Sequence, residues 1–133
     1  MTHKKAVIAV VKNNSGKFLL GRKRRDSEKF LSGKWHIPGE TLHDLESDVD
    51  GLKRCAREEA GIKIKVGKYL GSHFTPSGKL ANWYECFAVT EDIRAGSDLA
   101  ECGWFEKREV ASICGERLIS IWPEGVREYF GIN

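Results

Sequence analysis

The segment Gly39–Ile62 reads GETLHDLESDVDGLKRCAREEAGI, and its second half has the features of a helix. Ser47 suits an N-cap, because its hydroxyl can accept from a first-turn amide. Asp50 three residues later makes a weaker version of the capping box. Val49, Leu52, Ala56 and Ala60 recur at helical spacing and form a core-facing stripe. Gly61 stands where a helix ends in a left-handed glycine. Gly51 inside the helix costs on the order of 1 kcal/mol relative to alanine. Its presence implies close backbone approach or a locally loosened helix.

At about 100° per residue, the apolar stripe spans roughly 80°, and Glu59, Cys55 and Glu58 follow around one flank. This places Cys55 between two glutamates on the same exposed face. Like charges on a helix face repel, and a divalent cation removes that cost. Magnesium accepts oxygen ligands, keeps several waters and usually shares its site with substrate phosphates. Taken alone, however, a Glu-Glu pair is most often a solvated face.

Working outward, KKAVIAVVKNN at 4–14 is β-branched and apolar and reads as a buried strand. A turn over 13–16 leads to KFLLGRKR at 17–24, a second strand pairing back as a hairpin. A long polar connection, 25–40, ends in Pro38-Gly39, and TLHDLE holds a short strand piece. After the helix, 62–74 reads as one or two strands, 75–82 as a turn, and WYECFAV as a strand. A loop over 90–101, a short strand CGWFE and two helices, 107–118 and 122–130, complete the chain. Pro123 suits the first turn of the last helix. Strands and helices mix without strict βαβ alternation, which predicts an α/β fold with a mixed sheet flanked by helices.

The 133 residues fit one domain, 1–133, and the 41% hydrophobic and 31% charged composition is that of a globular chain. The apolar run AVIAVV is too short to span a bilayer and lacks signal-peptide flanks, so no membrane role and a cytoplasmic location are expected. Cys55, Cys86, Cys102 and Cys114 have no zinc spacing and read as reduced, mostly buried thiols. A net charge of +3 is too mild to argue for nucleic acid. Arg22, Lys23, Arg24 and Arg25 cluster at the end of the second strand. Alternation sends only some of them to one side, and Arg22 or Arg24 is the expected phosphate contact. His36 and His73 are candidate bases, and Trp35, Phe74, Trp83 and Tyr84 candidate stacking surfaces.

The segment from Gly39 to Ile62 resembles the box of the Nudix hydrolases (MutT-like proteins), G-x5-E-x7-R-E-U-x-E-E-x-G-U, where U is a bulky aliphatic. Without gaps the box covers about 40–62, and Glu46, Arg54, Glu58, Glu59, Gly61 and Ile62 match. Glu40 stands for the glycine, Cys55 for a glutamate and Ala56 for the aliphatic, so the box is degenerate. Gly39 matches the glycine that commonly precedes it. GKFLLGRKR, KWHIPG and AECGWFEKREV are similar to the family's flanking regions.

The resemblance implies an α/β/α sandwich around a mixed sheet, and hydrolysis of a nucleoside diphosphate linked to another group, such as a nucleotide sugar or a nucleoside triphosphate. It implies Mg2+ or Mn2+ held by Glu58, Glu59 and the Gly39 carbonyl. Glu46 and Arg54 would pair and Gly61 would shape the helix exit, all three in structural roles. The partner is a small nucleotide, and a homodimer is common among the relatives. A thiol at Cys55 is a poor magnesium ligand. Glu101, with Asp98 near it, is the expected replacement carboxylate and joins Glu58 and Glu59 as a catalytic candidate. Two alternatives remain: a GDP-sugar glycosyl hydrolase-like enzyme, whose branch also departs from the box here, and a nucleotide-binding domain with weak turnover.

Overall fold

A computed structural model describes residues 4–25 and 32–132. The strands are β1 (Lys5–Lys12), β2 (Phe18–Lys23), β3 (Trp35–His36), β4 (Gly39–Thr41), β5 (Ile64–Phe74), β6 (Leu80–Ala88) and β7 (Leu99–Phe105). The helices are α1 (Asp48–Ala60), α2 (Lys107–Cys114), α3 (Glu116–Ile119) and α4 (Glu124–Tyr129). The strands form one mixed sheet in the order β3-β2-β1-β6-β5, with β4 also on β1 and β7 also on β2.

β1 is central because both of its faces are apolar, the pattern of a strand covered on two sides. It runs parallel to β6 along its whole length and antiparallel to β4 and β2 on its other edge. Ala6, Ile8 and Val10 join one core with Phe18, Leu20, Trp83 and the α2–α4 helices. Val7, Ala9 and Val11 join a second core with Leu19, Leu52, Ala56 and Ala60 under α1. Strand alternation thus divides the interior into the two layers of an α/β/α sandwich. Among the described residues no helix is long and apolar enough to cross a membrane.

Helix α1 starts and stops where the sequence predicts. Ser47 Oγ accepts from the Asp50 amide at 3.1 Å, and Gly61 closes the helix in the left-handed region at φ 70°. Gly51 packs where a Cβ would stand 2.2 Å from Leu42 Cδ2 and 3.3 Å from Val7 Cγ2, which explains the missing side chain. The buried side is rotated from the expected stripe: it comprises Gly51, Leu52, Cys55, Ala56, Glu59 and Ala60, whereas Val49 is 42% exposed. The shift arises because Cys55 packs as an apolar residue and Glu59, despite its charge, is buried too.

Other differences are local. The polar connection contains β3 and β4, while its residues 26–31 lie outside the described residues. β4 begins at Gly39, ahead of TLHDLE, and β6 and β7 begin at Leu80 and Leu99, earlier than expected. β5 is continuous but irregular near Val66, Tyr69 and Gly71. The helix expected at 107–118 breaks at Gly115, whose φ of 92° leaves the helical region. The four thiols are free, three of them buried.

Candidate active site

Arg54 organises one side of the site. Its Nε and Nη2 donate to both oxygens of Glu46 at 2.9 Å, a bidentate pair that ties the loop before α1 to the helix. Nη2 also donates to the Thr41 carbonyl at 2.9 Å, which anchors the end of β4. The remaining nitrogen, Nη1, is shared by Glu40 and Glu58. These hydrogen bonds hold the Glu46 carboxyl down at about 2, and they raise the Arg54 guanidinium above its usual range.

One helical turn on, Glu59 is 1% exposed, and neither carboxylate oxygen has a hydrogen-bond partner among the described residues. Burial pushes its carboxyl up to about 8; the Lys23 ammonium works against that shift, and Asp98, Glu40 and Glu58 add to it. Glu40 is pushed up to about 7 by burial and by the neighbouring Glu58, with Arg54 pulling the other way. An unpaired buried carboxylate is costly, so a core position for Glu59 marks a site built for something else.

The loop before β7 closes over the C-terminal end of α1. The amides of Arg94 and Gly96 donate to the carbonyls of Ala60 and Glu59, each at 2.9 Å. Such bonds satisfy helix-end carbonyls that otherwise lack partners. Only glycine fits at 96, since a Cβ there would meet the Glu58 carbonyl oxygen at 2.4 Å. The loop sets Asp98 2.8 Å from Lys23 Nζ. Burial alone would lower the Lys23 ammonium, but Asp98 and Glu59 hold it above its usual value.

Some of these groups line a cavity of about 910 Å³, whereas Arg54, Glu46 and Glu58 stand outside its lining. Lys23, Gly39, Glu40, Glu59 and Asp98 form its polar wall. Opposite lie Ile37, Leu118, Ile121 and Trp122, with His36 and His73. Trp122 Nε1 donates to His36 Nε2 at 3.3 Å, and Trp83 Nε1 donates to His73 Nδ1 at 3.0 Å. Burial holds both imidazoles below their usual range, His36 at about 4. Both histidines are neutral acceptors with satisfied partners, which makes them wall elements.

Several sequence expectations change here. Cys55 is fully buried, not on an exposed face, and burial together with Glu59 and Glu40 raises its thiol well above the ordinary range. It is a neutral thiol, unsuited to hold a hard cation or act as a nucleophile. Glu101 does not line the cavity; it pairs with Arg22 at 2.6 Å across β2 and β7 and is 55% exposed. Arg22 is thereby engaged and Arg24 lies exposed outside the lining, whereas Lys23 between them enters it. Leu19 belongs to the α1-side core, so strand alternation gives that face to positions 19, 21 and 23. Trp35 packs on Phe105 at 5.2 Å, Trp83 is fully buried, and Phe74 is exposed. Tyr84 bonds Asp48 at 2.6 Å.

The NUDIX domain family model matches residues 2–119. The CTP pyrophosphohydrolase of Escherichia coli (strain K12) is 36% identical over 67 residues, which are 50% of this chain and 48% of that protein. The match therefore spans about half the length of that relative. A MutT-like protein of Streptomyces ambofaciens is 29% identical over 115 residues, covering 86% of this chain and 71% of that protein. The crystal structure of MutT protein from Methanosarcina mazei Go1 superposes with a TM-score of 0.72 and 26% identity, covering 97% of this chain and 91% of that one.

Proposed function

Because this chain belongs to the NUDIX family, we propose that it hydrolyses a nucleoside diphosphate linked to another group, with a divalent cation. The observation that carries this reading is Glu59, a buried carboxylate without hydrogen-bond partners among the described residues, on the wall of a large cavity. Hard cations take oxygen ligands, and the orphaned oxygens of Glu59 fit that requirement. Glu58 and Glu59 on α1 and the Gly39 carbonyl on β4 would hold the ion. When bound, it neutralises phosphate charge and lowers the pKa of a bound water.

The chain's own residues supply the rest. Lys23, fixed by Asp98, presents an ammonium to the anionic part of the substrate. Ile37, Leu118, Ile121 and Trp122 offer an apolar wall to a flat base, and such a wall excludes water from the reacting end. Arg54 and Glu46 keep α1 and β4 in register, so that Glu59 and Gly39 face one space. Among the described residues no three His, Cys, Asp or Glu side chains form a ready metal-holding group, because Glu40 and Glu58 are turned onto Arg54. The relative named for CTP makes pyrimidine nucleotides the first substrates to try.

The protein should be assayed with nucleoside triphosphates, nucleotide sugars and dinucleoside polyphosphates, each with Mg2+ and Mn2+. The expected products are a nucleoside monophosphate and a phosphorylated remainder. A nucleoside diphosphate with free sugar would place it with the glycosyl hydrolase branch. Metal-dependent nucleotide binding without turnover of any compound would make it a binding domain.

A further inference from the structure

We propose that the two charged-position departures in the box form a single exchange: the carboxylate absent at Cys55 is supplied to the metal by Glu40. This rests on the metal-dependent reading above and adds a ligand specific to this chain. The placement follows from strand register. β4 pairs antiparallel with β1, so that Glu40 lies opposite Val7 and Gly39 opposite Ile8. Residues paired in this way project to the same face, and Val7 packs into the core under α1. A glutamate in place of the box glycine is thereby directed toward α1, where it lines the cavity with Glu59. The two carboxylates whose charge bears most on the Cys55 thiol are Glu59 and Glu40. Glu40 therefore reaches the neighbourhood that a longer, acidic side chain at 55 would occupy.

Charge balance selects Glu40 over the other acids. Among the described residues, Glu40, Glu46, Glu58, Glu59 and Asp98 share Arg54 and Lys23, five carboxylates against two cations, while the one further ammonium on the cavity wall, Lys79, donates to the Thr41 hydroxyl. Asp98 is neutralised by Lys23 at 2.8 Å, and Glu101 by Arg22 outside the cavity. Glu46 takes the bidentate edge of Arg54, which leaves Glu40 and Glu58 to share one nitrogen. Glu40 is thus buried in part and neutralised in part, next to a Glu59 whose oxygens have no hydrogen-bond partner among the described residues. The orphaned Glu59 oxygens point independently to a cation here. Its arrival would compensate the surplus charge, with Gly39 and Glu40 as oxygen donors from the strand and Glu58 and Glu59 from the helix.

The test is Mn2+ binding to the nucleotide-free protein, read by the paramagnetic resonance of free Mn2+ and by the Mn2+-induced rise in Tm. Wild type, Glu40→Gln, Glu40→Gly, Glu59→Gln and the double variant Glu40→Gly/Cys55→Glu are compared. Glu40→Gln and Glu40→Gly should each weaken Mn2+ by about 10-fold or more. The double variant should regain most of the affinity that Glu40→Gly loses, since removing the Glu40 side chain opens room for a longer side chain at 55. Binding by both Glu40 variants within twofold of wild type, with binding lost in Glu59→Gln, would overturn the role of Glu40 while leaving the metal site standing. Unchanged binding in Glu59→Gln as well would overturn both. A double variant no tighter than Glu40→Gly would overturn the exchange.

Discussion

The two walls of the cavity bury polar groups in opposite ways. On the α2–α4 side, His36 and His73 each accept an indole N–H, from Trp122 and Trp83. On the α1 side, Glu59 is buried at the same depth as the core leucines and accepts nothing among the described residues. Burying a polar group is tolerable when its hydrogen bonds are made and costly when they are not. The histidine wall is therefore complete as it stands and needs no ligand to explain it. The acidic wall leaves a buried carboxylate without a hydrogen-bond partner among the described residues, the gap that the proposed cation would fill, and this difference separates the two walls more clearly than residue type does.

Replacing Glu59 tests the comparison most severely. Glu59→Gln should lower turnover by about 10²–10³-fold, the size seen when one preorganised electrostatic group is lost from an active site. Without metal, the same variant should be more stable than wild type at neutral pH. The wild-type carboxyl is ionised in the unfolded chain and raised to about 8 by burial. On folding it must take up a proton or enter the core as a charge without a hydrogen-bond partner among the described residues, a cost that Gln does not carry. A gain of about 1 kcal/mol corresponds to a Tm higher by roughly 3–5 °C in a chain of this size. Activity assays and melting curves in chelator check the two halves. A fall in apo Tm would mean that Glu59 is structurally satisfied, and the contrast between the walls would collapse.

The histidine wall should answer with the opposite sign. His36→Phe removes the acceptor of the buried Trp122 indole and should destabilise the protein by about 1–3 kcal/mol. Turnover at saturating substrate should change by only a few-fold. The loss should also depend on pH. His36 is held at about 4 by burial, with Lys23 and His73 adding to the effect, against about 6.5 in the unfolded chain. Between these values the unfolded state binds more protons, so the contribution of His36 falls as pH drops from 6.5 toward 4. The stability gap between wild type and His36→Phe should be full at pH 7.5 and smaller at pH 5. The acidic wall titrates in both proteins and cancels in the difference. A gap that widens on acidification would mean that His36 is charged in the fold.

Much of this architecture is legible before any coordinates, and the rest fails for identifiable reasons. The ends of α1 are set locally by Ser47 and Gly61, and β1 by its unbroken apolar run, so both are read from neighbouring residues. The Arg54–Glu46 pair is what the family resemblance implies, and both oxygens of Glu46 do accept from Arg54. The burial of Glu59 is not visible in the hydropathy of the helix, since a charged residue counts as exposed until its surroundings are known. Lys23 was open to reading. The 19, 21, 23 parity of β2 follows from alternation once Leu19 is assigned to the α1 side, but that assignment needs the tertiary packing. Glu40 depended on the register of a three-residue strand against β1, which no local pattern specifies. The family resemblance pointed to Glu101 as the replacement carboxylate, whereas cross-strand pairing gives that residue to Arg22.

The start of α1 offers the mildest test, because it is satisfied in the same sense as the histidine wall while belonging to the helix that carries Glu59. Ser47 Oγ accepts from the Asp50 amide, and Asp48 Oδ2 accepts from Tyr84 Oη at 2.6 Å and Asn82 Nδ2 at 3.0 Å. Ser47→Ala should cost about 1 kcal/mol, the usual value of an N-cap hydroxyl. Mn2+ affinity should stay within twofold of wild type, since Glu59 lies three turns away and is held by the loop at the opposite end of the helix. Denaturant melts and metal titrations on one preparation read both quantities. A variant that lost Mn2+ in proportion to its stability would show that the acidic wall is held by the helix as a whole. Loss of stability alone would place the organisation of the metal site at the C-terminal end, in the contacts of Arg94 and Gly96 with the last turn.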